Sequence, residues 1–137
     1  MCSKFDTKIA VLLREDLEPW QRLNVCAFLS SGIAANAELL GAPYADADGT
    51  QYLPMFRQPV LVFEGDKELM GTAHARALRR GLPTAVFTAD LFHTGNDTDN
   101  RAAVAALPGA ELDLVGFAVH GPRNGVDKVL KGASLHR

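Results

Sequence analysis

The stretch Pro83-Thr-Ala-Val-Phe-Thr-Ala-Asp90-Leu-Phe-His93-Thr94-Gly95 reads as a buried strand that stops abruptly in a polar cluster. Open α/β sheets bind ligands at the carboxyl ends of their strands, where loops and helix N-termini converge. The rest of the chain is read outward from this strand end as its scaffold.

Upstream, Lys8-Ile-Ala-Val-Leu-Leu-Arg14 is a continuous apolar run clamped between charges. Both faces of such a strand must be covered, which is the pattern of buried strands in α/β proteins. Val60-Leu-Val-Phe63 and Leu112-Asp-Leu-Val-Gly-Phe-Ala-Val119 predict two further strands. Pro19 suits the first turn of a helix, because it has no N–H to leave unpaired, and predicts a helix over about Pro19 to Leu40. Asp66 is a good N-cap and Gly81 a good C′ residue for a helix from Lys67 to Arg80. Asp97, Thr98 or Asp99 can cap a short helix ending near Leu107. Asn124 can cap a last one from about Gly125 to Lys131, closed by Gly132. Strands alternating with helices imply one sheet with helices on both faces. The expectation is a single α/β domain over residues 1–137, three layers deep, with four strands in its sheet.

The first helix is unusual. Leu23, Cys26, Ser30, Ile33, Ala37 and Leu40 form one stripe, while Val25, Phe28, Leu29 and Gly32 cover much of the remainder, and no charge falls between Leu23 and Ala37. A helix apolar all round is buried on more than one side, against its own domain or against a second copy of the chain. Ser30-Ser31-Gly32 and Ala34-Ala35 are small enough for close backbone approach in either case. The run is too short, and too rich in Ser and Asn, to cross a bilayer comfortably. Between Gly41 and Gln58, Asp48-Gly49 flanked by Tyr44 and Tyr52 predicts a hairpin turn. A calcium loop is a poor fit there, since the glycine comes too early and no Glu closes the set.

The chain has 137 residues, 47% apolar and 22% charged, with a formal net charge of −2. That balance gives no general attraction for polyanions or phospholipid surfaces. An RNA-associated module would have to rely locally on Arg76, Arg79, Arg80, Lys128 and Lys131. Cations at a helix C-terminus also have a simpler reading, as partners of the macrodipole. The two cysteines, Cys2 and Cys26, have no CxxC or His/Cys spacing, and the N-terminus has no apolar signal core. The expectation is a reduced, cytoplasmic protein with no metal site, no cofactor and no membrane partner.

For chemistry, Asp90, His93 and Thr94 are candidates for a general-base site, with a carboxylate to orient the imidazole and a hydroxyl nearby. The same residues serve equally as a cap and a loop start. Arg22, Asn24 and His120 are candidate ligand-binding residues, with His120 facing the same cleft if its strand is a neighbour. His74 borders an apolar stripe and reads as structural. No P-loop, dinucleotide fingerprint or Gly-x-Ser-x-Gly elbow is present.

Lys8-Ile-Ala-Val-Leu-Leu-Arg14-Glu-Asp16-Leu17 before a long Ala-rich helix resembles the opening of the type II (archaeal and eukaryotic type) peptidyl-tRNA hydrolases. Gly81-Leu82-Pro83 leading to Asp90-Leu-Phe-His93-Thr94 is similar to their third strand and Asp-Ala-Gly-x-Thr motif, and Gly121-Pro122 with Asp127-Lys128-Val129 to their C-terminal segment. Trp20-Gln-Arg-Leu-Asn24-Val and the Tyr44-x-Asp46-x-x-Gly49 loop more closely resemble a bacterial family of uncharacterised proteins, the domain of unknown function numbered two thousand. The resemblance implies a peptidyl-tRNA hydrolase II-like fold, a three-layer α/β/α domain on a four-stranded mixed sheet, commonly dimeric, here through the apolar first helix. The hydrolases carry Gly-Lys near the start of the first helix, whereas Trp20-Gln21-Arg22-Leu23-Asn24 supplies no lysine. The motif's Ala-Gly becomes Leu91-Phe92, and a further family threonine falls at Gly116. These departures imply a domain that binds a small or peptide-like ligand without that hydrolase activity. The rival readings are a diverged ester or amide hydrolase and the RNA-associated module.

Overall fold

A computed structural model describes residues 5–136; Cys2 lies outside the described residues. Strand β1 (Thr7–Arg14) is central. Its side chains alternate between the two faces of the sheet, as a period-2 strand requires. Ile9, Val11 and Leu13 enter the core shared with the first helix, α1 (Pro19–Ile33), while Ala10 and Leu12 enter the opposite core. Hence the unbroken apolar run: both faces are covered.

A hairpin of β2 (Tyr44–Ala45) and β3 (Gln51–Tyr52) follows α1, then β4 (Val60–Gly65), parallel to β1. Helix α2 (Lys67–Arg79), strand β5 (Thr84–Thr88), helix α3 (Asp97–Ala105), strand β6 (Leu114–Pro122), helix α4 (Arg123–Val129) and strand β7 (Ser134–Leu135) complete the chain. The sheet order is β5-β6-β1-β4-β7, mixed, with β6 antiparallel to both of its neighbours. It therefore has five strands where the sequence predicts four. The fifth is a two-residue edge strand in the tail, too short to leave a periodic signal.

Helix α2 follows its end signals. The Asp66 carboxylate accepts a hydrogen bond from the Leu69 amide at 2.8 Å, and Gly81 takes φ +66°, a conformation that costs an L-residue strain. Met70, Ala73, His74 and Ala77 are its buried residues, whereas Leu78, although apolar, is exposed. The hairpin also forms where Asp48-Gly49 marks it. Tyr44 pairs with Tyr52, Gly49 takes φ +86°, and Asp46 gathers the turn by accepting from the Asp48 and Thr50 amides and the Tyr52 hydroxyl. For α3 the cap is Asn96 rather than Asp97, Thr98 or Asp99: its side-chain oxygen accepts from the Asp99 amide at 2.8 Å. Helix α4 starts at Arg123, directly after Pro122, without a side-chain cap from Asn124.

Helix α1 departs most from expectation. It ends at Ile33, not Leu40, and the chain continues into a 3-10 turn, Ala37–Leu39, capped by Asn36, whose side chain accepts from the Glu38 amide. Its buried residues are Val25, Leu29 and Ile33. The Leu23 stripe is not one buried face: Ile33 is buried and Cys26 partly so, while Leu23 itself is 74% exposed and Trp20 and Phe28, beside the stripe, are more than half exposed. Each of the three buried side chains contributes about 2 kcal/mol, enough to seat the helix on one face. Two glycines let it approach: a Cβ on Gly116 of β6 would stand 2.8 Å from Val25 Cγ1, and one on Gly32 would stand 2.9 Å from the Ala85 Cβ. The small residue at position 32 thus serves contact with β5 inside the chain. No described helix is long and apolar enough to cross a membrane.

Candidate functional site

Strands β1, β4 and β5 point the same way, so their carboxyl ends share one edge of the molecule. Beyond the end of β5 the chain makes a 3-10 turn, Ala89–His93, and then the loop that Asn96 caps into α3. This segment lies over the start of α1. Trp20, Asn24 and Phe28, four residues apart and so on one side of the helix, form one wall of a hollow of about 390 Å³. Phe87, Leu91, Phe92, Thr94, Gly95, Asn96, Asp97 and Asn100 form the rest.

The walls are tied together by aromatic contacts. Trp20 meets Phe92 edge-on at 5.6 Å, Phe28 meets Phe87 at 5.8 Å, and Phe87 meets Phe92 at 5.0 Å between ring centroids. The Thr94 hydroxyl lies against the Leu91 carbonyl oxygen at 3.1 Å and against the side-chain oxygen of Asn100. A second, more apolar hollow of about 620 Å³ continues from the first between α1, β5 and α3, sharing Phe28, Phe87, Leu91, Asp97 and Asn100 with it. Among the described residues strand β5 is the sheet's edge, paired only with β6. Together these make an apolar trough studded with amides beside an open strand edge, suited to groups that combine apolar surface with a few hydrogen bonds.

The six residues proposed from sequence divide sharply. Asn24 and Thr94 line this hollow. Asp90 and His93 are exposed in the 3-10 turn and are not among its walls. Arg22 stands two residues from Asn24, more than half a turn round the helix, and points elsewhere. Its guanidinium donates to Glu64 Oε1 at 2.8 Å, to the Leu17 carbonyl at 2.9 Å and to His136 Nε2 at 2.8 Å. Arg22 thereby fastens α1 to β4 and the chain's tail. His120 belongs to the opposite end of the sheet: β6 is a neighbour of β5 but antiparallel to it, so Val119 pairs with Thr84 at the start of β5. Its Nε2 is buried without a partner among the described residues, and burial holds the imidazole below its usual 6.5.

Trp20, Phe92 and Asn100 were not predicted. The signal for the first was the i, i+4, i+8 spacing of Trp20, Asn24 and Phe28; the other two depend on a loop closure that leaves no periodic trace. His74 is structural as expected, packed edge-on against Phe117 at 6.0 Å, with its pKa lowered by burial. Four of the five basic residues considered for RNA, Arg76, Arg79, Arg80 and Lys128, line one hollow of about 310 Å³ on the α2–α4 side. Lys131 lines an adjoining one, which shares Arg76 with the first and is otherwise lined largely by acidic and small residues.

Residues 7–137 match the model of a family described as "Protein of unknown function (DUF2000)". A search of curated proteins finds no match. Among solved structures, a protein of unknown function from Agrobacterium tumefaciens strain C58, Atu0240, is 44% identical. The alignment covers 98% of this chain and all of that one, with a TM-score of 0.94.

Proposed function

The chain belongs to the DUF2000 family of proteins of unknown function, and on that premise we propose that it binds a small or peptide-like ligand in the hollow between α1 and the end of β5. The carrying observation is that Asn24 and Thr94, from segments seventy residues apart in sequence, line the same hollow with Trp20, Phe28 and Phe92. An extended peptide would set apolar side chains in the trough, while Asn24 supplies amide hydrogen bonds. The proposal includes a fold resembling the type II peptidyl-tRNA hydrolases without their activity, since no lysine occurs between Trp20 and Asn24. It also includes self-association through α1, whose exposed Trp20, Leu23 and Phe28 supply apolar surface.

The test is a titration of blocked tripeptide amides, apolar at alternate positions, followed by backbone amide shifts. Shifts centred on Asn24, Thr94 and Asn96, weakened at least fivefold by Asn24→Ala and Phe28→Ala, are expected. Shifts centred elsewhere, or none across the series, would overturn the reading. The exposed positions of Asp90 and His93 favour binding over ester or amide hydrolysis. Equal residual turnover of a p-nitrophenyl ester by wild type, Asp90→Ala and His93→Ala is the corresponding expectation.

A further inference from the structure

Arg76, Arg79, Arg80 and Lys128 form the whole lining of a hollow of about 310 Å³ where the C-terminal ends of α2 and α4 meet. No carboxylate belongs to that lining, and among the described residues none of the four cations is in an ion pair. The neighbouring Asp127 is engaged by Lys8. In a chain with more acidic than basic residues, 16 against 14, this is a local reversal of charge. Helix macrodipoles favour a cation at each C-terminus. They do not account for four in one concavity, where the cations repel one another.

Two features make the hollow more than a charged surface. Arg76 Nη1 donates to the Lys131 carbonyl at 2.9 Å and lies 3.4 Å from that of Val129, so the tail after α4 holds its guanidinium in place. Arginine forks match the spacing of phosphate oxygens, and lysine adds a point charge. The volume is at the small end for ligand sites, and no aromatic ring lines it. Single-stranded nucleic acid is ordinarily gripped by stacking on such rings, so the lining suits a compact polyanion better.

We propose that this hollow is a binding site for a compact phosphate-bearing anion of the di- or triphosphate type, separate from the hollow at Asn24. The experiment is calorimetric titration of the full chain with tripolyphosphate, at about 20 and 150 mM salt. Saturable one-to-one binding is expected, at least tenfold weaker in Arg80→Gln and Lys128→Gln and within twofold of wild type in Lys131→Gln, whose side chain lines a different hollow. Affinity is expected to fall at the higher salt, as screening requires. All of these positions are on the surface, and circular dichroism checks that each variant folds. Three results would overturn the proposal: no saturable binding at low salt, equal losses from Lys128→Gln and Lys131→Gln, or a single-stranded twelve-nucleotide RNA that outcompetes tripolyphosphate with losses spread over all five basic residues.

Discussion

The indole of Trp20 stands edge-on to the Phe92 ring, with 5.6 Å between centroids and 66° between planes. This contact joins the first turn of α1 to the segment after β5, and Trp20 is the chain's single tryptophan. The tryptophan fluorescence therefore comes from one wall of the hollow. Because Trp20 is 57% exposed, a ligand that covers it shifts its emission to shorter wavelength. In Phe92→Leu the edge contact is lost, at a cost of about 1 kcal/mol. The free protein is expected to emit at longer wavelength, with a smaller ligand-induced shift.

Arg22 separates scaffold from site. Arg22→Ala removes charge-assisted hydrogen bonds to Glu64 and Leu17 and is expected to lower stability by about 2 kcal/mol. Peptide affinity, compared where both proteins are fully folded, should change less than twofold. A selective loss of binding at unchanged stability would return Arg22 to the list of ligand residues. Urea unfolding alongside the peptide titration distinguishes the two.

Gly116→Ala and Gly121→Ala form an informative pair. A Cβ at 116 meets Val25 Cγ1 at 2.8 Å and the Leu12 carbonyl oxygen at 3.2 Å, in the middle of the sheet. The three atoms nearest to one at 121 all belong to the Leu82 side chain, the closest being Cδ2 at 2.6 Å, the far end of a flexible group. Overpacking typically costs 1–3 kcal/mol. The expectation is about 2 kcal/mol for Gly116→Ala and under ~1 kcal/mol for Gly121→Ala, read from urea midpoints.

Acid sensitivity should come in two windows. Burial lowers the pKa values of His74 and His120 from 6.5. The unfolded chain therefore takes up protons that the folded chain refuses, and stability falls as pH drops below about 6.5. Asp16 and Asp46 are shifted down from 3.8, the first chiefly by its hydrogen bond from Arg14 and the second by that from Tyr52. Their stabilisation is complete at neutral pH and is lost only as pH falls through the acid range below 3.8. His74→Leu is expected to flatten the difference in unfolding midpoint between pH 7 and pH 5 and to leave the lower window unchanged.

Much of the frame was legible because it rests on local chemistry. The Lys8–Arg14 run, the Asp66 cap, Gly81 and the Asp48-Gly49 turn each declare themselves within a few residues. The end of α1 did not, since Ala34-Ala35-Asn36-Ala37 contains good helix formers and the break depends on Asn36 capping the next turn. The buried face of α1 was misread because Leu23 and Val25 are equally apolar, and only the sheet beneath decides which is covered. Strand direction leaves no mark on composition. A reading that had β6 beside β5 still could not tell that His120 would fall at the far end from Asp90. Thr94 closes the 3-10 turn after β5, where a polar residue behind an apolar strand stands out, whereas Asn24 lies inside α1 and drew attention through the family-like segment that contains it.

The placement of β6 fixes an order of events during synthesis. It follows β5 in the chain, yet it lies between β1 and β5, so β5 lacks its partner strand until residues 114–122 have left the ribosome. A nascent chain stopped near Gly109 would lack the partner of Thr84–Thr88, with the walls of the Trp20 hollow unassembled. Closure of that hollow thus waits on a strand made after every residue that lines it.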